Sequence, residues 1–202
     1  MNIKSFLFAF LPLTWTAVSA PAHAMPYCAL RDPAHQLFDM YPLANTYRSI
    51  VHTVDDNARA SVSAALPFTL HARELGEHTL YVPLQKTHSL GIVHVRTEPG
   101  EWGLVEIAWA LDLDLRVRDF RFQRCRGPGC DTLPAGAFLD LLRGRQLPEI
   151  RELLSDDGTA LRNRLPGVSA DEQALAVTVL RSAAKTIAVT GTVWGVDIAR
   201  LN

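Results

Sequence analysis

Apolar residues along the chain switch between two periods, and the order of the switches outlines the fold. Asp32-Pro33 pairs a capping residue with a proline suited to a first helical turn; Leu37, Phe38 and Tyr41 follow at helical spacing until Pro42 stops the run. Thr46 to Val54, rich in Thr, Tyr, Ile and Val, reads as a strand. Asp55 or Asp56 then caps a helix through Ala60 and Val62 to Leu66, ended by Pro67. The middle of the chain is strand-like: His78 to Val82, Leu90 to Val95, and Leu104 to about Leu113, with Glu98-Pro99-Gly100-Glu101 expected as the turn before the last of these. Leu115, Val117, Phe120 and Phe122 alternate with polar residues, with one phase shift near Asp119 of the kind a β-bulge produces.

Helices close the chain. Phe138 to Leu142 ends at Gly144, a second short helix runs from Pro148 to Leu154, and Ser169 with Glu172 three residues on forms the capping-box pattern of a longer one. Leu175, Val179, Leu180 and Ala183 continue it, while the β-branched residues and Gly191 between Ile187 and Trp194 leave that stretch open between helix and strand. Neither repeat nor linker interrupts this order. The expectation is one α+β domain, residues 25–202, with a central antiparallel sheet, flanking helices and a long C-terminal helix.

Residues 1–24 stand apart. One lysine precedes an uncharged apolar run from Phe6 through Val18, too short for a comfortable membrane span, and Ala22-His23-Ala24 supplies the small-residue pattern of signal cleavage before Met25. A periplasmic protein without a membrane span after cleavage is therefore expected. A formal net charge of -1 recommends neither nucleic acid nor an anionic membrane, and a composition 48% hydrophobic and 20% charged suits a globular core. Export permits a disulfide among Cys28, Cys125 and Cys130. Cys125-Arg126-Gly127-Pro128-Gly129-Cys130 makes a local bridge the simplest pairing, although Cys28 can reach either partner.

The familiar catalytic signatures G-x-S-x-G, H-E-x-x-H, G-x-x-x-x-G-K-[ST] and G-x-G-x-x-G are absent, so no nucleophile with an orienting base can be named. His71, His78, His88 and His94 cluster in the strand region, where two can meet across neighbouring strands to hold a metal; no further ligand at fixed spacing accompanies them, so surface or satisfied core histidines and no metal are expected. Glu106, Asp112 and Asp114 lie in or beside an apolar strand and are expected to face solvent or pair with Arg116 and Arg118. Trp102 and Trp109, with Tyr81 and Phe122, can form an aromatic wall for a planar ligand or equally belong to the core, and Arg124 and Arg126 beside the glycine turn can take a phosphate or stand as a solvated basic loop.

The succession of Leu90-Gly91-Ile92-Val93-His94-Val95, the strand from Leu104 to Leu113, Leu115-Arg116-Val117-Arg118-Asp119-Phe120 and Phe138 to Gly144 resembles the FMN-binding domain of exported flavoproteins. That family includes the periplasmic flavin subunits of the sodium-pumping quinone reductase and the Rnf complex. The similarity covers roughly residues 78 to 185. Leu139, Leu142 and Gly144 echo the family's short F-x-x-x-F-x-G-K helix, and Pro166-Gly167-Val168-Ser169-Ala170-Asp171 stands where the family carries S-G-A-T-[ST]-S. The threonine that bears FMN there is missing, so the resemblance implies noncovalent FMN at most, with its phosphate on the helix N-terminus at Ser169. Two functions follow as expectations: flavin or electron handling, or a cofactor-free binding or assembly accessory for an envelope protein.

Overall fold

The computed structural model describes residues 31–201; segment 1–24, the cleavage expected before Met25, and Cys28 lie outside the described residues. The chain runs α1 (Ala34–Met40), β1 (Thr46–Val54), α2 (Asp56–Ala65), a 3-10 turn Ala72–Glu74, β2 (Gly76–Gln85), β3 (His88–Ser89), β4 (Ile92–Gly100), β5 (Gly103–Leu111), β6 (Val117–Arg124), α3 (Gly136–Leu142), α4 (Leu147–Arg151), a 3-10 turn Ala170–Glu172 and α5 (Gln173–Ala199). The strands form one antiparallel sheet in the order β1-β2-β4-β5-β6, with β3 hairpinned onto β2. This is the expected α+β domain with a long C-terminal helix.

Local signals account for most boundaries. Asp55 accepts a hydrogen bond from the Ala58 amide and opens α2. Ser169 and Glu172 form the anticipated capping box ahead of α5. The phase shift in β6 comes from Arg118, which has no partner on β5: Leu111 pairs with Val117 and Ala110 with Asp119. A second extra residue, Gln123, sits between the partners of Ile107 and Glu106.

Several boundaries move: α4 stops at Arg151 rather than Leu154, β2 extends at both ends to Gly76–Gln85, and two further shifts have a clear physical cause. Glu98, Pro99 and Gly100 belong to β4, pairing with Val105, Leu104 and Gly103, so the turn is Glu101-Trp102. Proline is tolerated here because β4 pairs with β2 only at Leu80↔His94 and Tyr81↔Val93, leaving an empty flank for the side without an N–H. The second shift is α5, whose stretch from Ile187 to Trp194 is helical throughout: Thr186, Ile187, Val189, Thr190 and Trp194 are buried, and packing overrides their weak helix propensity.

The sheet separates two apolar layers. Ile92, Val105, Ile107, Trp109, Leu111, Val117 and Phe120 face a core built with α2, α3, α4 and α5. On the other face Val93, Val95, Ala108 and Ala110 pack under Leu37, Met40 and Tyr41 of α1. Length and composition alone would let α5 cross a membrane, but 67% of its most apolar stretch is buried inside the fold. It acts here as the core helix.

Candidate functional site

Trp102, at the tip of the β4–β5 hairpin, is 60% exposed, more than any other large aromatic among the described residues. Its indole lies over Gly127, whose φ of +87° suits glycine and whose missing Cβ makes the approach possible. Gly127 belongs to the loop that the Cys125–Cys130 disulfide closes, with a Cα–Cα distance of 5.7 Å. On its far side the loop meets α5, Gly129 lying against Leu175 and Leu133. Trp102, Arg126, Pro128, Asp171 and Leu175 thus line one cleft where the hairpin tip, the disulfide loop and the start of α5 converge. It encloses about 10 Å³, whereas ligand pockets run from about 300 Å³ upward. Gly127 covers part of the indole, and the rest of the side chain is open to solvent.

The remaining expected site residues are distributed differently. Trp109 is fully buried, donating its Nε1 proton to Ser182 Oγ at 3.0 Å and packing on Phe120, so it lines no cleft. Arg124 ends β6 opposite Glu106, half-buried, a strand residue rather than part of the loop. Ser169 donates its hydroxyl proton to Asp171 Oδ1 at 2.6 Å and to Glu172 Oε2 at 2.7 Å, and its amide donates to Glu172 Oε2 at 2.8 Å. Thr132 donates to the other Glu172 oxygen. Hydrogen bonds from Thr132 and from the amide and hydroxyl of Ser169 hold the Glu172 carboxyl below the usual carboxylate range. Carboxylates therefore occupy the end of the helix where a phosphate was expected. Tyr81 is on β2 and Phe122 packs edge-on to Phe120, both away from Trp102.

No family model, curated protein or solved structure matches the chain.

The second concentration of chemistry is sealed between β4 and α5. Glu74 receives Arg96 Nη2 and Lys185 Nζ, the latter at 2.9 and 3.1 Å to its two oxygens; Glu98 receives Lys185 Nζ at 2.8 Å and Arg96 Nε at 3.4 Å. All four side chains are buried, two positive and two negative. Burial pushes the Glu74 carboxyl up, but Arg96, Lys185 and the His71 amide outweigh it and hold it below its usual range. His78 and His94 adjoin the network, their rings 5.9 Å apart and perpendicular. His78 bonds the Glu74 carbonyl at 2.9 Å and His94 Nδ1 bonds Thr190 Oγ1 at 2.9 Å. Burial and the positive field of Arg96 press the His78 ring down to about 4; burial, His78 and Arg96 press His94 well below its ordinary value. Both rings are neutral at pH 7.

Two of the four histidines, His78 and His94 on neighbouring strands, do meet, and among the described residues no group of three or more His, Cys, Asp or Glu side chains is placed to hold a metal. Glu106 departs from its expectation: it is buried on the α1 face, 3.7 Å from Arg31, away from Arg116 and Arg118. Asp112 instead accepts the amides of Asp114 and Arg116 and shapes the β5–β6 turn. Sequence reading passed over Glu74, Arg96, Glu98 and Lys185 as a group. The available signal was Lys185 alone, a charge inside the apolar run Ala183-Ala184-Lys185-Thr186-Ile187, which a buried helix tolerates only with a partner.

Proposed function

We propose that the chain is an exported, periplasmic binding protein that takes a planar, anionic ligand of the flavin class, FMN foremost, noncovalently at the Trp102–Arg126 cleft. The carrying observation is the convergence of an exposed tryptophan and an exposed arginine, from two separate loops, at the start of α5. Tryptophan offers a face for ring stacking and arginine a bidentate donor for phosphate. The fit is divided. Trp102 and Arg126 suit the ring and the phosphate once the indole leaves Gly127, whereas the α5 N-terminus, filled by Asp171 and Glu172, does not suit a phosphate. Such a ligand brings redox chemistry of its own; the chain contributes a stacking face at Trp102 and a cation at Arg126.

Titrating the purified protein with FMN and with riboflavin tests this reading. Quenched FMN fluorescence with a micromolar Kd, weaker riboflavin binding because Arg126 loses its phosphate, and loss of both in Trp102→Ala are expected. FMN fluorescence unchanged at tens of micromolar protein, both with and without dithiothreitol, would reject it. The filled helix terminus favours a second reading in that event, a cofactor-free accessory that presents Trp102 and Arg126 to an envelope protein, since these two residue types dominate contact energetics at interfaces.

A further inference from the structure

The loop between Cys125 and Cys130 forms the wall shared by every part of the cleft. It leaves β6 directly after Arg124, carries Arg126 and Pro128 on the cleft lining, and is held from one side by the Trp102 indole and from the other by Leu175 and Leu133. Two of its four internal residues are glycines with φ of +87° and +92°. Such a segment is poorly disposed to hold one shape by itself: glycine gives up more conformational freedom than any other residue on ordering. Among the described residues, the link that closes this loop covalently is the disulfide. Both cysteines are half-buried, packed against the edge of the core rather than sealed within it.

We propose that the Cys125–Cys130 disulfide is a redox latch that keeps the Trp102 indole seated on Gly127 and the cleft closed. This rests on the reading of the cleft as a ligand site, and it adds how that site is governed. The reductant is a dithiol. One of its thiolates attacks a sulfur of the Cys125–Cys130 bridge and forms a mixed disulfide, releasing the other cysteine as a thiolate that takes up a proton. The second thiolate of the reductant then displaces the remaining cysteine, which is protonated in turn. The S–S bond of the protein is reduced by two electrons, the dithiol is oxidised to its own disulfide, and both cysteines end as thiols. With the loop open, Gly127 is free to leave the indole, Trp102 swings outward, and Arg126 reaches a ligand lying on the exposed ring face.

Once residues 1–24 are cleaved, and Trp15 with them, Trp102 is a convenient reporter: Trp109 and Trp194 are fully buried, so collisional quenching by acrylamide is dominated by the hairpin tip. The experiment compares oxidised protein, protein treated with dithiothreitol and then reoxidised, and the Cys125→Ser/Cys130→Ser double variant, with far-UV circular dichroism as the check on folding. Reduction should raise the acrylamide quenching constant about twofold and reoxidation should restore it; the double variant should show the high value with or without dithiothreitol. FMN affinity measured in the same samples should rise at least tenfold in the reduced and double-serine forms. Equal quenching constants in oxidised and reduced protein overturn the latch. A quenching change without FMN binding in any form leaves the latch standing and overturns the ligand assignment instead. If the double variant does not fold, reversible reduction of the wild-type protein carries the same test.

Discussion

Lys185 is the residue on which the interior turns. Its ammonium is the donor shared by Glu74 and Glu98, and Arg96 alone cannot neutralise two buried carboxylates. Removing one partner of a buried ion pair strands the others, so Lys185→Met should lower stability by about 3–5 kcal/mol, read as a smaller denaturant midpoint at unchanged slope. The neighbouring histidines set the acid response. His78 titrates at about 4 in the folded chain, against 6.5 in an exposed ring, and His94 is shifted the same way. The unfolded chain therefore binds more protons between these values, and stability must fall as pH drops from about 6.5 to 4. His78 alone accounts for about 3 kcal/mol by that linkage. The lowered Glu74 carboxyl adds loss in the same direction below its ordinary titration range. Denaturation midpoints measured between pH 8 and 4 should decline monotonically, and His78→Gln should flatten the curve. The clustering of histidines was visible in the sequence, whereas the charges were not: Arg96 and Glu98 alternate along β4 as solvent-facing residues would, and only the arrival of α5 makes that face interior.

At the scale of elements, the start of α5 decides what its helix end can do. Glu172 accepts from the Ser169 amide and hydroxyl and from Thr132, tying the helix to the segment after the disulfide loop. Glu172→Ala should cost about 1 kcal/mol of stability, as loss of a cap does, seen as a modest fall in Tm. Capping residues were the most legible feature of the chain: Asp55 and the Ser169-Glu172 pair identified two helix starts, and the lone phase break in Leu115 to Gln123 located a bulge. Local chemistry fixes these, so local sequence reveals them. The β4–β5 turn and the second half of α5 depend on tertiary circumstances instead, an unpaired flank beside Pro99 and a sheet that buries Ile187, Val189 and Trp194.

Over the whole molecule, the question is which side chains the fold assembles at one place. Trp102 and Trp109 stand at either end of one strand and appeared equivalent as an aromatic wall; the sheet assigns Trp109 to the interior beneath α5 and leaves Trp102 on the rim. Arg124 and Arg126, two residues apart, are likewise divided, one in β6 and one in the disulfide loop. The local bridge between Cys125 and Cys130 was legible because a Gly-Pro-Gly turn brings its own ends together. The contact of that loop with a hairpin tip more than twenty residues earlier was not. What results is a small cleft beside the Trp102 indole, lined by one cation, Arg126, and two carboxylates, Glu101 and Asp171. The most direct measurement of the account is the visible absorbance of the protein purified under reducing conditions and then supplied with FMN. Retained flavin absorbance after gel filtration of the wild-type protein, absent from Trp102→Ala, is the predicted result; a colourless wild-type fraction would contradict it.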